Sequence, residues 1–305
     1  PLGLQIGGRL IVSSKSERND RKSGKKQVFS PRPSGGREKG QKPATQGFAG
    51  RDETPRQGRS SEKSKAEADN FIWGRHPVLA ALANPARRGV GRVLATADRA
   101  REIEEANLAP GRQVEVVDIQ VLNRMLPAGA VHQGMVFKVQ PLEGVSLEDL
   151  AEPAQGVIVM LDQLTDPQNV GAIFRSALAF GARGVIVQDR HAPALAGALA
   201  KASVGATERL LHARVTNLSR ALEKLADLGW RAVGLDGSGQ QTLEEALDAQ
   251  PTVLVMGSEG DGIRRLVAEH CDVLAKIPMP GGFESLNVSN AAAVALYEAA
   301  RAQRG

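Results

Sequence analysis

Ile277-Pro-Met-Pro-Gly-Gly-Phe-Glu-Ser-Leu-Asn-Val-Ser-Asn290 carries an apolar strand end into a Pro/Gly loop. It then gathers four uncharged polar residues, Ser285, Asn287, Ser289 and Asn290, at the mouth of the alanine-rich run Ala291-Ala-Ala-Val-Ala-Leu-Tyr297. Hydroxyl and amide groups in that position either accept hydrogen bonds from the orphan N–H groups of the helix or hold a polar small molecule. Read alone, the segment is a helix cap, with Ser289 or Asn290 as the capping residue.

Upstream of this segment, strands and helices alternate from Gly156 onward. Apolar runs predict strands over 157–161, 184–187, 231–234, 252–256 and 273–277, and helices near 168–180, 194–202, 217–228, 242–248, 262–270 and 290–303. Continuous Val/Ile/Leu strands alternating with helices predict a mainly parallel sheet covered on both faces, so the fold class is α/β. In such sheets the ligand lies beyond the carboxyl ends of the strands. A smaller α/β domain is expected over 71–140, with strands at 92–96, 113–117 and 135–139, and residues 141–155 read as a linker to the 156–305 domain.

The 305 residues are 42% hydrophobic, enough for two cores. Residues 1–70 hold 16 Lys+Arg against 8 Asp+Glu, while the rest of the chain holds 23 against 26, so the basic excess belongs to the tail. That tail is rich in Gly, Ser, Pro and Lys and cannot offset its ordering entropy by burial, which predicts disorder. A mobile basic arm suits phosphate backbones. Cys271 is the only cysteine, and the five histidines are scattered, which argues against a disulfide or a thiolate-rich metal site, so no metal is expected. No membrane run or secretory signal is read, and the cytoplasm is the expected location.

Two further loops fall where the sheet rule puts a site. In Leu161-Asp-Gln-Leu-Thr-Asp-Pro-Gln-Asn-Val-Gly-Ala-Ile-Phe-Arg-Ser-Ala177, Asp166 caps a helix that Pro167 begins, and Val170, Ile173, Phe174 and Ala177 form its buried stripe. Arg175 is expected to lean back over Gly171 toward Asn169. In Val253-Leu-Val-Met-Gly-Ser-Glu-Gly-Asp-Gly-Ile263 the glycines allow close backbone approach, but the order is neither a dinucleotide fingerprint nor a triphosphate loop. Glu259 would repel phosphate, yet it suits a hydroxyl, an amine or the Arg175 guanidinium. The strand end Ile277-Pro-Met279, with Leu286 closing over it, offers a shelf for a flat ring. An arginine, a carboxylate, several amides and an apolar shelf, without a Ser/His/Asp or Cys/His set, suit group transfer from an organic cofactor.

The three segments resemble, in order and spacing, the three motifs of the SpoU (TrmH-type) RNA ribose 2′-O-methyltransferases of the SPOUT class. The likeness spans about residues 71–303. Gly129-Ala-Val-His-Gln-Gly134, Met256-Gly-Ser-Glu-Gly-Asp-Gly262, Glu269-His-Cys271 and Ile277-Pro-Met-Pro280 together look most like the bacterial 23S rRNA guanosine 2′-O-methyltransferases, which act in the peptidyl-transferase loop. The resemblance implies a trefoil-knotted C-terminal domain that dimerises with a second copy and takes S-adenosylmethionine in its knotted loops. It also implies an N-terminal RNA-binding domain. Gly257, Ile277 and Leu286 match cofactor-binding positions, and Ser258 and Met279 beside them join that expectation. Asn169, Arg175, Glu259, Ser285 and Asn287 match the polar catalytic set. The competing readings are a tRNA ribose methyltransferase of the same superfamily, a non-catalytic RNA-binding protein and a nicotinamide-dependent oxidoreductase; the missing dinucleotide fingerprint disfavours the last. His132 reads as a structural turn histidine.

Overall fold

The computed structural model describes residues 70–88, 90–281 and 285–304. The tail's expected disorder, and residues 282–284 of the third loop, lie outside them.

The first sheet has four strands: β1 (Phe71–Trp73), β2 (Arg92–Ala95), β3 (Val114–Val116) and β4 (Met135–Lys138), in the order β1-β4-β2-β3. β4 runs antiparallel to both β1 and β2, and β3 is parallel to β2. Side chains alternate between its faces as strand geometry requires. Ile72, Val93 and Phe137 pack beneath α1 (Arg75–Ala83) and α2 (Ala97–Glu105). Trp73, Leu94 and Val136 pack beneath α3 (Ile119–Met125). β1 was not predicted, because three residues are too few for a period to show.

The stretch 141–155, expected as a linker, is packed rather than loose. Val145 bridges to Ala213, and α4 (Leu147–Ala151) buries Leu150 and Ala151 against the second sheet.

That sheet contains β5 (Val157–Leu161), β6 (Gly184–Gln188), β7 (Leu211–Val215), β8 (Arg231–Leu235), β9 (Gln241–Thr242), β10 (Thr252–Met256) and β11 (Val273–Lys276). The order is β7-β6-β5-β10-β8-β11-β9, and all pairings are parallel. Every residue of central β5 and β10 is buried, which is why they read as unbroken apolar runs. On one face pack α5 (Pro167–Ala179), α6 (Gly197–Ser203), α8 (Leu243–Ala246) and α10 (Val288–Ala302); on the other pack α7 (Leu218–Asp227) and α9 (Arg265–Ala268) with α4. The expected stripe of α5 is the buried one, with Val170, Ile173, Phe174 and Ala177 each at most 1% exposed. β7 escaped prediction because it is an edge strand interrupted by His212 and Arg214.

The order of the last strands carries the crossing expected of a knotted domain. β8 and β9 follow each other in the chain, yet β11 lies between them. The connection 236–240 therefore passes over β11, where the Asp236 amide donates to the Ala275 carbonyl at 3.0 Å. A Cβ on Gly239 would sit 2.6 Å from the Leu274 carbonyl oxygen, so two backbones touch there and only glycine fits. The chain leaves β11 beneath that loop and returns through α10 to pack against α5, β5 and β10.

Candidate active site at the knotted loops

The loops that follow β5, β10 and β11 meet at the mouth of α10. Asp166 caps α5 by accepting from the amides of Gln168 and Asn169 at 3.2 and 3.1 Å, with Pro167 as the first helical residue. This presents the Asn169 side chain on the first turn. Its Nδ2 donates to Glu259 Oε1 at 3.1 Å, and Asn287 Nδ2 donates to the same oxygen at 2.7 Å and to Asn169 Oδ1 at 3.1 Å. The Val288 amide is the third donor to that oxygen, 3.3 Å from Glu259 Oε1. One carboxylate oxygen thus joins all three loops, and Glu259 Oε2 makes no hydrogen bond with a described residue.

Asn287 also caps α10, its Oδ1 accepting from the Ser289 amide at 3.0 Å and the Ser289 hydroxyl at 2.6 Å. The cap is therefore Asn287, not Ser289 or Asn290 as expected. Capping and the polar network use opposite ends of one amide, oxygen to the helix and nitrogen to Glu259.

Beside this network lies a cavity of about 230 Å³. Gly257, Ser258, Glu259, Ile277, Met279, Ser285 and Leu286 all line it. The 257–263 loop closes on itself through paired Ser258–Gly262 backbone hydrogen bonds of 3.1 and 3.0 Å. A Cβ on Gly257 would lie 2.0 Å from the Gly262 carbonyl carbon, so this turn requires glycine. Leu235, Met256, Ile277, Met279 and Leu286 supply apolar wall, while Asp236 and Glu259 supply the carboxylates. Flat apolar surface, exposed backbone at a glycine turn and acidic groups suit a ligand that joins an aromatic ring to a cationic amino acid.

Of the expected residues, only Arg175 stands apart. It is exposed and makes no hydrogen bond or ion pair with a described residue, so Glu259 engages two amides instead of the guanidinium. Gly171 does not clear a path for Arg175. A Cβ there would lie 2.6 Å from Ala202 Cβ and 2.7 Å from the Leu199 carbonyl oxygen, so the glycine lets α5 and α6 touch.

Sequence reading missed Asp162, fully buried at the end of β5. Its carboxylate accepts from Arg264 Nε at 2.7 Å and the Arg264 amide at 2.9 Å, tying the first loop to the second. Asp236 and Lys276, which line the cavity from the ends of β8 and β11, were missed too. Ordinary loop aspartates and lysines carry no sequence signal for such a place. His132 has the structural role expected: Nδ1 accepts from the Gly134 amide and Nε2 meets Asn123 Oδ1 at 2.9 Å.

Two family models match the chain. The SpoU rRNA methylase family covers residues 156–297, and the substrate-binding domain of RNA 2′-O ribose methyltransferases covers 71–145. An uncharacterized tRNA/rRNA methyltransferase of Mycolicibacterium smegmatis is 40% identical over 248 residues, 79% of each chain. Among solved structures, the SpoU methyltransferase AviRb from Streptomyces viridochromogenes aligns with TM-score 0.65 and 26% identity, over 81% of this chain and 98% of that one. The same enzyme in complex with AdoMet aligns with TM-score 0.62 and 26% identity, over 82% of this chain and 94% of that one.

Proposed function

The chain belongs to the SpoU family of RNA methyltransferases and uses S-adenosylmethionine, and we propose that its product is a 2′-O-methylated guanosine in the peptidyl-transferase loop of 23S rRNA. The observation that carries the reading is the meeting of Asn169, Glu259 and Asn287 on one carboxylate oxygen beside the Gly257–Ile277–Leu286 cavity. A bare RNA-binding module has no use for such a buttressed polar network next to a ring-sized apolar wall.

The cavity fits S-adenosylmethionine by its donor set: Leu235, Ile277 and Leu286 against the adenine, backbone at Gly257 and Ser258 for its polar edge, and Asp236 for the cationic amino group. When bound, the cofactor supplies an electrophilic methyl group on a sulfonium. The chain must then position the ribose and stabilise the charge that grows on the 2′-oxygen as its proton leaves. Asn169, Ser285 and Asn287 are the groups we assign to ribose and cofactor register, with Glu259 holding the two asparagines.

Arg175 is the cation assigned to the developing alkoxide. It follows Asn169 by six residues on the same helix, about 9 Å along the axis at 1.5 Å per residue. A guanidinium stays protonated, so it serves as an electrostatic stabiliser, and an RNA phosphate oxygen is the proton acceptor we assign. An exposed arginine with no hydrogen-bond partner among the described residues is suited to a partner that arrives with the RNA.

The 23S rRNA is the assigned partner, and a second copy of the chain the other. α10 presents Val294 and Tyr297 to solvent at 42% and 57% exposure, with Leu286 at its mouth, an apolar stripe that favours a homodimer through the knotted domain. The cytoplasm is the expected site of action. The second reading is a tRNA ribose methyltransferase, favoured by the tRNA/rRNA description of the Mycolicibacterium relative.

Labelled S-adenosylmethionine incubated with total RNA, followed by mapping of the modified nucleotide, separates these readings. Label in 23S rRNA at a guanosine ribose supports the proposal. Label in tRNA alone retains the enzyme class and rejects the substrate.

A further inference from the structure

A cavity of about 650 Å³ lies away from the knotted loops, between the two sheets. One wall is the 127–130 turn and Trp73 of the small domain; the other is Thr165 and Pro167 at the start of α5 and residues 191–199 leading into α6. Its walls are built mainly of small residues, among them Ala128, Ala194 and Ala198, so the backbones stand back and leave room for a flat group. No aspartate or glutamate lines it, and its side-chain polar groups are Thr165, His191 and the Trp73 indole. Pro167 is two residues from Asn169, so one wall of the cavity is the first turn of the helix that carries the polar network.

The two walls are clamped together. Gln133 sits at φ +54°, in the left-handed region, and its Oε1 accepts from Lys201 Nζ of α6 at 2.9 Å and from the Arg75 amide at 3.1 Å. Arg87 of the small domain forms a two-pronged ion pair with Glu208 of the large one, at 2.7 and 2.8 Å, with both side chains almost wholly buried. Ala200 of α6 belongs to the small domain's own core. A cavity held open between such contacts is preformed and costs little ordering on binding.

We infer that this interdomain cleft receives an unpaired nucleobase of the RNA, at or next to the nucleotide being methylated. The inference rests on the proposed RNA substrate. Sequence-specific RNA recognition works on splayed single-stranded bases set against apolar or aromatic surface, with edge contacts to polar groups. A cleft without carboxylates, walled by the substrate-binding domain on one side and the first turn of the catalytic helix on the other, matches that chemistry in charge, shape and position.

The test fills the cleft. Ala128→Trp, on an exposed turn, and Ala194→Trp, on the opposite wall, are compared with the wild-type chain by thermal melting and S-adenosylmethionine affinity. Both properties are expected within twofold or a few degrees of wild type. The kcat/KM for a 23S rRNA fragment containing the peptidyl-transferase loop is expected to fall at least tenfold. Values within twofold for both variants would overturn the inference. Independently of turnover, the same fragment and bulk tRNA transcripts, each carrying 4-thiouridine, are photocrosslinked to the full chain. Crosslinked peptides covering 127–130 or 191–199 with either RNA support the cleft, and crosslinks with tRNA alone reject only the rRNA assignment. Crosslinks confined to other peptides reject the cleft whichever RNA is the substrate.

Discussion

Replacing Glu208 by Gln removes one charge from the junction of the two domains without changing the size of the side chain. In the native chain Glu208 accepts from Arg87 Nε at 2.7 Å, Arg87 Nη2 at 2.8 Å and Asn84 Nδ2 at 3.0 Å, while Arg87 Nη1 donates to the Gln140 carbonyl at 2.8 Å. The side chains are 3% and 1% exposed, so solvent does not screen the pair. Breaking a buried ion pair by deleting one partner costs about 3–5 kcal/mol, because the remaining charge is stranded. Glutamine keeps one acceptor oxygen for the guanidinium, which places the expected loss near the lower end, about 3 kcal/mol. For a folded region of this size that is a fall in Tm of roughly 6–12 °C.

The double variant Arg87→Met with Glu208→Leu strands no charge and replaces the pair by apolar packing. Such replacements are often neutral or stabilising, so its stability should return to within about 2 kcal/mol of wild type despite the lost Asn84 partner. The cycle completed by the single variants Arg87→Met and Glu208→Leu, read by calorimetry or urea unfolding, gives the coupling directly. A single Glu208→Gln variant that melts within 1 °C of wild type would refute the reasoning, since it would mean that water reaches the pair and the domain junction opens freely.

Other outcomes follow from individual contacts. Gly171→Ala forces a methyl group to within 2.6 Å of Ala202 Cβ, so urea unfolding should register about 1–3 kcal/mol of overpacking, with methyl transfer falling further because α5 carries Asn169 and Arg175. Gly257→Ala would place a Cβ on the Gly262 carbonyl carbon; titration calorimetry should show S-adenosylmethionine binding weakened at least tenfold with the Tm changed by only a few degrees. Burial pushes the Cys271 thiol up to about 12, so iodoacetamide should leave the native chain unmodified at pH 8 and label it in urea. Burial also lowers the pKa of His212, as it does for His132, so both are neutral when folded and bind protons more readily when unfolded. Their contribution to stability is complete above the unfolded pKa of about 6.5 and is lost as pH falls below it. His270, raised by the Leu266 carbonyl and Glu223, opposes this from the surface. Tm should therefore drop between pH 7 and pH 5, and less steeply in His212→Asn; an unchanged slope would discount the buried imidazole.

The parts legible in the sequence were those with local causes. β5 and β10 read correctly because burial on both faces makes every residue apolar, and α5 because an Asp-Pro cap and a stripe of period 3.6 occupy adjacent positions. The loop positions of the polar residues were legible from the sheet rule, but their proposed roles came only from resemblance, since amides and hydroxyls at a helix mouth serve capping equally well. Asn287 indeed does both. What could not be read was decided by chain segments far apart in sequence. Asp162 meets Arg264 across 102 residues, and Glu208 meets Arg87 across 121. Gly171 was misassigned for the same reason: a missing side chain makes room, and the sequence does not say for what.

That glycine bears on how the two domains act together. α6 touches α5 through Gly171 on one side and the small domain through Ala200, Lys201 and the Gly205 turn on the other; a Cβ on Gly205 would lie 2.6 Å from Ala80 Cβ. Close-packed contacts with no side chain between them transmit displacement rather than absorb it. A small domain that shifts on binding RNA must therefore move α6 or break the Gln133–Lys201 and Arg87–Glu208 contacts, and moving α6 moves the helix that carries Asn169 and Arg175. On the proposed roles of Asn169 and Arg175, the small domain is thereby a fixed gauge for where RNA lies relative to them, and recognition errors at its surface should appear as losses in turnover as well as in affinity.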